Sequence, residues 1–185
     1  MKTNRFLSSL TALALLGFAA CQPREAAAEN TASESSSSGA VATASLPVIQ
    51  PAPDWTLPDL DGRPVNSAQF AGKVVVVDFW ATWCPPCREE IPGYIALQEK
   101  YGKDGLVIIG VSLDRGGPAK VRDFAKKFGI NYPLVMGDSE AIAGFGDISA
   151  IPTTFLIDRE GNIRDRKVGA LATAEYEKRI LALLK

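Results

Sequence analysis

Two cysteines in the stretch DFWATWCPPCREEIP, residues 78–92, have a spacing suited to thiol chemistry. Cys84 and Cys87 follow an apolar run and precede a helical pattern, which predicts Cys84 at the start of a helix and Cys87 one turn inward, within disulfide-bonding reach. The helix N-terminus favours the thiolate form of Cys84. We therefore expect an exposed Cys84 sulfur to attack a partner's disulfide, and Cys87 to resolve the mixed disulfide.

Three other roles for these thiols remain open but are less favoured. A zinc or iron–sulfur site normally needs further Cys or His ligands, whereas the chain has only one other cysteine, Cys21, and no histidine. A purely structural disulfide at this spacing would close too short a loop to remove much entropy from the unfolded chain. Inert buried thiols are uncommon in this arrangement. We predict redox exchange, with no metal and no cofactor beyond the Cys84–Cys87 disulfide.

The composition limits the other functions that the chain could have. It has 185 residues, 46% of them apolar, which is enough for one hydrophobic core. The formal charge is −1 and the lysines and arginines are scattered, so nucleic acid is not an expected partner. Without histidine, only thiols, carboxylates, lysine, tyrosine and backbone groups remain for chemistry. We expect one globular domain and a monomer.

The N-terminus has the pattern of an export signal. A basic start precedes an uncharged apolar run, residues 6–20, which is too short for a comfortable bilayer crossing. The run ends in GFAAC, which resembles a bacterial lipobox, so Cys21 is the predicted lipidation site. Cleavage at the alternative A-x-A site that ends at Ala28 would instead release a soluble protein.

The next segment has the composition of a flexible tether. Residues 22–50 contain no aromatic side chain and no periodic apolar pattern. We therefore predict a signal peptide over residues 1–20, a tether over 21–50 and a globular domain over 51–185. Acylated Cys21 would hold the domain at a membrane on the exported, periplasmic side of the cell envelope.

Strand and helix patterns alternate along the domain. KVVVVDFW, residues 73–80, is continuously apolar apart from Asp78, as in a central strand covered on both faces. A helix is predicted from about Pro86 to Tyr101, then a second buried strand over residues 106–113. The other expected elements are a hairpin turning at 61–62, a helical turn at 67–73, a helix within 117–129, a strand at 132–136, a helical turn at 139–146, a hairpin over 153–169 and a helix at 173–185. This order predicts an α/β fold with helices on both faces of the sheet.

Three segments together resemble the exported thioredoxin-like reductases of the TlpA/ResA family: VVVVDFWATWCPPCREEIP, FAKKFGINYPLV and IPTTFLID. The resemblance covers roughly Pro53 to Lys185. It implies a thioredoxin fold, with a central mixed sheet, an N-terminal hairpin and an insertion at about residues 114–137. It also implies that Pro152 is cis and that the Ile151 backbone offers a strand-like edge to an incoming peptide beside the thiols.

The resemblance also assigns roles around the thiols. Asp78 matches the buried aspartate that deprotonates the second cysteine in thioredoxin, and burial should raise its pKa. Glu90 matches the glutamate that ResA-like proteins place near their thiols. The lysine that thioredoxin keeps near its aspartate has no counterpart, because Gly110 takes its place. Trp83 is expected to shield the thiols, and the substrate-binding set is Trp83, Pro85, Pro86, Ile151 and Pro152.

The two prolines between the cysteines bear on the direction of electron flow. Pro85 and Pro86 lack N–H groups, which leaves only those of Cys87 and Arg88 to face the Cys84 sulfur. A less stabilised thiolate makes a weaker oxidant. We predict a disulfide reductase, with an oxidase or isomerase as the alternative.

The resemblance implies two kinds of partner for a reductase of this type. A membrane thiol-transferring reductase would recharge it in an oxidising compartment, and its clients would be disulfide-bearing exported proteins, such as apocytochrome c or a copper-site assembly protein. Two other functions remain open. A peroxiredoxin would share the fold but normally places its cysteine in a P-x-x-x-T-x-x-C setting, and a copper chaperone would use C-x-x-C as a clamp.

Overall fold

A computed structural model describes residues 46–185 of the chain. The predicted signal peptide and Cys21 lie outside these residues. The strands are β1 Gln50–Pro51, β2 Thr56–Pro58, β3 Pro64–Asn66, β4 Val74–Trp80, β5 Leu106–Ser112, β6 Leu134–Met136, β7 Thr153–Ile157 and β8 Asn162–Val168. The α-helices are α1 Pro85–Tyr101, α2 Pro118–Phe128, α3 Ser139–Gly144 and α4 Thr173–Leu184, with short 3₁₀ helices at Ser67–Phe70 and Gly102–Asp104.

Six of the strands form one mixed sheet in the order β1-β8-β7-β4-β5-β6. The strands β4, β5 and β6 are parallel, whereas β7, β8 and β1 continue the sheet in antiparallel pairs. The strands β2 and β3 form the separate N-terminal hairpin. The predicted α/β fold with a mixed sheet and a closing hairpin is confirmed.

Strand β4 lies inside the sheet between β7 and β5, and every one of its residues is buried. Its side chains alternate between two cores, as a strand dictates. Val76 and Trp80 point into the core covered by α1, α2 and α4, which we call the α1 face. Val77 and Phe79 point into the core covered by α3 and the β2–β3 hairpin, which we call the α3 face.

Two of the differences between the structure and the predicted element boundaries are at the start of α1 and at the edge of the sheet. Helix α1 begins at Pro85 rather than Pro86, because the side chain of Cys84 caps it and proline suits the first helical turn. The edge of the sheet also begins inside the segment assigned to the tether: Ile49 N donates a 2.8 Å hydrogen bond to Ile163 O, and Gln50 pairs with the same residue in β1. A strand of two residues is too short to show an apolar period, so the sequence does not predict it.

The predicted insertion between β5 and α3 is an ordered unit. Helix α2 begins after Gly117, whose φ of 80° suits glycine, and ends at Gly129, whose φ of 68° is left-handed. Strand β6 then adds to the edge of the sheet beside β5. Among the described residues, no helix is both long enough and apolar enough to cross a membrane.

Candidate active site

The two thiols lie at the start of α1, a few residues after the end of β4. Cys84 and Cys87 form a disulfide with an S–S distance of 2.06 Å and a Cα–Cα distance of 5.3 Å. The backbone N–H of Cys87 donates to Cys84 Sγ at 3.3 Å, so the sulfur acts as the N-cap of the helix. The spacing therefore places the thiols as the sequence predicts.

The expectation of an exposed Cys84 sulfur is wrong for this disulfide-bonded form. Cys84 is only 3% exposed and Cys87 only 1%. Trp83, the residue expected to shield the thiols, is itself 61% exposed. Pro85 and Pro86 are exposed beside it. The exposed side chains of Trp83, Pro85 and Pro86 therefore form the surface next to the buried pair.

The loop before β7 lies against the disulfide. The Ile151–Pro152 peptide bond is cis, as the resemblance implied. The carbonyl oxygen of Ile151 is 3.8 Å from Cys84 Sγ. Pro152 is buried and Ile151 half-buried, so the Ile151 backbone is positioned beside the thiols at the edge that an extended peptide would meet.

A buried carboxylate that the sequence analysis did not single out holds the segment in front of Cys84. Asp114 accepts hydrogen bonds from Thr82 N at 2.8 Å and Thr82 Oγ1 at 2.6 Å, and Lys120 Nζ lies 3.3 Å from it. Burial raises the pKa of Asp114, but these hydrogen bonds outweigh burial and hold the pKa below its ordinary value. The turn that carries Trp83 and Cys84 is thereby tied to the end of β5.

Asp78 is buried in the middle of β4 on the α1 face. It is 4% exposed, and Thr154 Oγ1 donates to its Oδ1 at 3.3 Å. Burial, followed by the charge of nearby Glu90, raises the pKa of Asp78 well above its ordinary value, against the smaller opposing effect of Thr154. In the register of the sheet Asp78 faces Gly110. A Cβ at Gly110 would lie 2.9 Å from Trp80 Nε1 and 2.5 Å from Leu134 Cδ2, so a larger side chain there would require these two side chains to shift.

Thr154 joins Asp78 to two buried tyrosines that the sequence analysis missed. Tyr176 OH donates to Thr154 Oγ1 at 3.0 Å, and Tyr94 OH lies 3.2 Å from the same oxygen. Burial raises the pKa of both phenols, so both stay protonated. Because the Thr154 hydroxyl has only one proton and gives it to Asp78, both tyrosines donate to it. The residues come from α1, β7 and α4, and only the Thr-Thr pair that begins an otherwise apolar β7 could have indicated them.

Glu90 lies on α1 one turn after Cys87 and faces inward rather than to solvent. It is 7% exposed, and its Oε1 accepts a 2.9 Å hydrogen bond from Leu171 N in the β8–α4 loop. Burial raises the pKa of Glu90, although Leu171 N–H, the Tyr176 hydroxyl and Lys167 oppose the shift. Its Oε2 is buried without a hydrogen-bond partner among the described residues. Asp78 and Glu90 thus form a pair of interacting buried carboxyls.

Known proteins share this arrangement of fold and sequence. The sequence profile of the AhpC/TSA family matches residues 48–166. The chain belongs to the AhpC/TSA family. Thiol-disulfide oxidoreductase ResA of Geobacillus kaustophilus is 34% identical over 130 residues, which cover 70% of this chain and 74% of the relative. The protein of the same name from Bacillus subtilis is 38% identical over 113 residues, which cover 60% of this chain and 62% of the relative.

Solved structures agree with these sequence relatives. A thiol:disulfide interchange protein of the thioredoxin family from Chlorobium tepidum superposes with a TM-score of 0.68 and 35% identity, covering 74% of this chain and 97% of that one. The predicted thioredoxin fold and the predicted ResA-like family are confirmed. The chain is a thiol-disulfide oxidoreductase, which agrees with its paired cysteines.

Proposed function

We propose that this thiol-disulfide oxidoreductase works as a reductase of disulfides in exported proteins. The observation that carries the proposal is the small number of backbone N–H groups that donate a hydrogen bond to the Cys84 sulfur. An N-cap side chain accepts from the second or third helical residue, and here the third, Cys87, donates while the second, Pro86, has no N–H. The N–H of Arg88, which the sequence analysis also expected at the sulfur, donates instead to the Cys84 carbonyl at 3.2 Å. One backbone donor therefore supports the Cys84 thiolate.

The buried carboxyls act in the same direction. Asp78 and Glu90 lie on the α1 face with the thiols, and negative charge there disfavours a thiolate. A dithiol whose thiolate is poorly stabilised loses electrons readily, because its reduced form gains little from ionisation. This favours a reductase over an oxidase or isomerase.

The reaction transfers two electrons in two exchange steps. The Cys84 thiolate attacks one sulfur of the client disulfide, which forms the Cys84–client bond and releases the other client sulfur as a thiolate. The Cys87 thiolate then attacks Cys84 Sγ, which forms the intramolecular disulfide and releases the second client thiolate. The client gains two electrons and two protons, and the Cys84–Cys87 dithiol is oxidised.

Asp78 serves the second step by accepting the single proton of Cys87, and the charge of nearby Glu90 helps to raise the pKa of Asp78. A carboxyl with a raised pKa is a stronger base once ionised and is matched to a thiol near neutral pH. The Thr154 hydroxyl bonds to Asp78 and holds it in a single orientation. Trp83, Pro85, Pro86 and Ile151 form the surface that receives the client, with the Ile151 backbone as its edge and the buried Pro152 joined to that backbone by the cis peptide bond.

The setting of the reaction follows from the N-terminal sequence. Acylation of Cys21, which lies outside the described residues, would hold the enzyme at a membrane, where a thiol-transferring membrane reductase could recharge it. The clients would be apocytochrome c or copper-site assembly proteins. Intact-mass analysis of the membrane fraction tests the anchor: a diacylglycerol-modified Cys21 is expected, and a soluble protein that starts at Glu29 would contradict it.

The deciding experiment is the reduction potential of the Cys84–Cys87 couple, measured against glutathione buffers. We expect a value clearly below the roughly −120 mV of a strong periplasmic oxidant. The reduced protein should also reduce insulin. A potential equal to that of the oxidant would overturn the assignment of reductase while leaving the oxidoreductase class intact.

A further inference from the structure

Two grooves meet at the exposed indole of Trp83. The first, of about 590 Å³, lies between the end of β5 and the loop before Pro152, and Arg115 and Ile151 line it. The second, of about 480 Å³, lies against α2, and Arg88 and Lys127 line it. Trp83 and Lys120 line both. We call Trp83, Arg88, Arg115, Lys120 and Lys127 the Trp83 surface.

The Trp83 surface is cationic although the chain as a whole carries a formal charge of −1. Its four basic side chains are all exposed. The two grooves contain two carboxylates, Asp114 and Asp123, but the side chain of Asp114 is 0% exposed and its charge is paired with that of Lys120. Asp123 is the exposed carboxylate of these grooves. An approaching molecule therefore meets an excess of positive charge.

Part of this charge is held in place by aromatic packing. The guanidinium of Arg88 lies 5.5 Å from the ring centroid of Phe128 and 5.9 Å from that of Phe124, and these two rings stack on each other at 4.1 Å. A guanidinium over an aromatic face loses little freedom when it binds an anion. The cation therefore has a defined position next to Trp83.

The Trp83 surface is continuous with the thiol site. The first groove is walled by residues 148–151, and the last of these, Ile151, places its carbonyl 3.8 Å from Cys84 Sγ. A peptide whose disulfide is at Cys84 and whose backbone follows Ile151 must run across Trp83. Its side chains within a few residues of the disulfide then lie near Arg115 on one side or Lys127 on the other.

We propose that the Trp83 surface selects client segments that carry acidic side chains close to the reactive disulfide. This inference rests on the proposed exchange with client proteins and adds the chemical class of segment that the enzyme prefers. Exposed charge pairs at a rim are individually weak but add to the rate of encounter, and salt screens them. The preference should therefore appear in kcat/KM and decline with ionic strength.

A peptide explains the surface better than a membrane does. The cations border grooves that lead to the disulfide, and Ile148 and Ile151 are half-buried within those grooves rather than projecting outward. A membrane-binding face needs apolar side chains that protrude together. Trp83 is the large apolar side chain that protrudes here.

The test uses two disulfide-bonded peptides that differ only in the residues flanking the disulfide, glutamates in one and lysines in the other. At about 20 mM salt the reduced full-length protein should reduce the acidic peptide about tenfold faster, and at about 500 mM salt the two rates should converge. The double variant Arg115→Glu/Lys127→Glu should remove or invert the preference. It leaves Arg88 and the Lys120–Asp114 pair untouched.

The matched control is Lys73→Glu/Lys103→Glu, which makes the same change in charge at the opposite end of the sheet. Lys73 precedes β4 and Lys103 precedes β5, whereas the thiols follow the other end of β4. This control should keep the preference for the acidic peptide, and the reduction potential should be equal in parent, variant and control.

Equal rates for the two peptides in the parent protein, or an equal effect of the variant and the control, would overturn the inference and leave the proposed function in place. Failure to reduce either peptide or insulin would overturn the proposed function and the inference with it. Binding to phosphatidylglycerol vesicles that the double variant loses, with unchanged peptide rates, would assign the Trp83 surface to a membrane and also overturn it.

Discussion

The two faces of β4 carry out different tasks although their side chains come from one seven-residue strand. On the α3 face, Val77 and Phe79 pack into a core of aliphatic and aromatic side chains, with Phe79 edge-to-face against Phe145 and Phe155. On the α1 face, Asp78 lies among hydroxyl groups and near a second carboxyl.

This difference shows which side of the strand lowers the stability of the fold in order to hold a functional group. A buried carboxyl is costly unless it is hydrogen-bonded, whereas a buried aromatic ring stabilises the fold. The aromatic packing on the α3 face should therefore help to offset the cost of burying Asp78 on the α1 face. Changes to the thiols and carboxyls of the α1 face should alter activity without unfolding the protein, whereas changes to the aromatic side chains of the α3 face should lower stability with little effect on activity.

The largest expected effect is on the α1 face, at the thiols. Cys84→Ser should abolish exchange because the attacking sulfur is lost, and Cys87→Ser should accumulate mixed disulfides because the resolving sulfur is lost. Insulin reduction and non-reducing gel electrophoresis measure the two outcomes, with the reduced parent protein as the control for folding. Serine variants that reduce insulin as fast as the parent would refute the assignment of both cysteines.

The next largest effect should come from the α3 face. Phe79→Ala should lower the free energy of unfolding by about 3–5 kcal/mol, because it leaves a cavity where a 0% exposed ring contacts two others. Phe79→Leu, which keeps most of the volume, should cost about 1 kcal/mol. Urea unfolding of the oxidised proteins gives these values. A large loss of exchange rate in folded Phe79→Leu protein would show that the two faces are not separable.

The third prediction concerns Asp78. Burial raises its folded pKa above the ordinary value of 3.8, so its penalty is absent below the unfolded pKa and grows as the pH rises toward the folded pKa. Asp78→Asn should therefore stabilise the protein by about 1–3 kcal/mol, more at pH 8 than at pH 5. It should also slow disulfide reduction about 100-fold, since a proton acceptor is lost.

Unfolding measured at both pH values and single-turnover reduction kinetics test this. The exposed Asp104→Asn is the control and should change neither quantity. If Asp78→Asn destabilises the protein equally at both pH values, the carboxyl is an ordinary structural hydrogen-bonding group.

The smallest effect is expected at the helix start. Pro86→His restores the missing N–H at the second helical position and can add positive charge, so the Cys84 thiolate should be stabilised by about 1.4 kcal/mol and the potential should rise by about 30 mV. The control is Pro85→His, which adds the same side chain at the first helical position, where the N–H does not face the Cys84 sulfur. It therefore measures the effect of the added charge without the added hydrogen bond. A potential that falls in Pro86→His would reject the hydrogen-bond argument.

The sequence predicted the parts of the site that depend on neighbouring residues. Cys84, Cys87 and Asp78 share one strand–helix segment, so spacing and a single carboxylate in an apolar run were sufficient to find them. Thr154 and Tyr176 were missed because their contacts with each other and with Asp78 cross the sheet. The folded chain sets those contacts through the register between β4 and β7, which has no local signal.

The exposure of the site was also not predictable from local pattern. The apolar Trp83 is exposed while Cys84 beside it is buried, because Asp114 fixes the turn through Thr82, more than thirty residues earlier in the chain. A long-range hydrogen bond of this kind overrides the hydrophobicity of individual residues.

The close packing around Gly110 restricts the order in which mutations can accumulate. A Cβ at this position would lie 2.5 Å from Leu134 Cδ2 and 2.9 Å from the indole nitrogen of Trp80. A lineage that starts from this sequence can therefore place a lysine beside Asp78 only if the side chains of both Trp80 and Leu134 shift or become smaller.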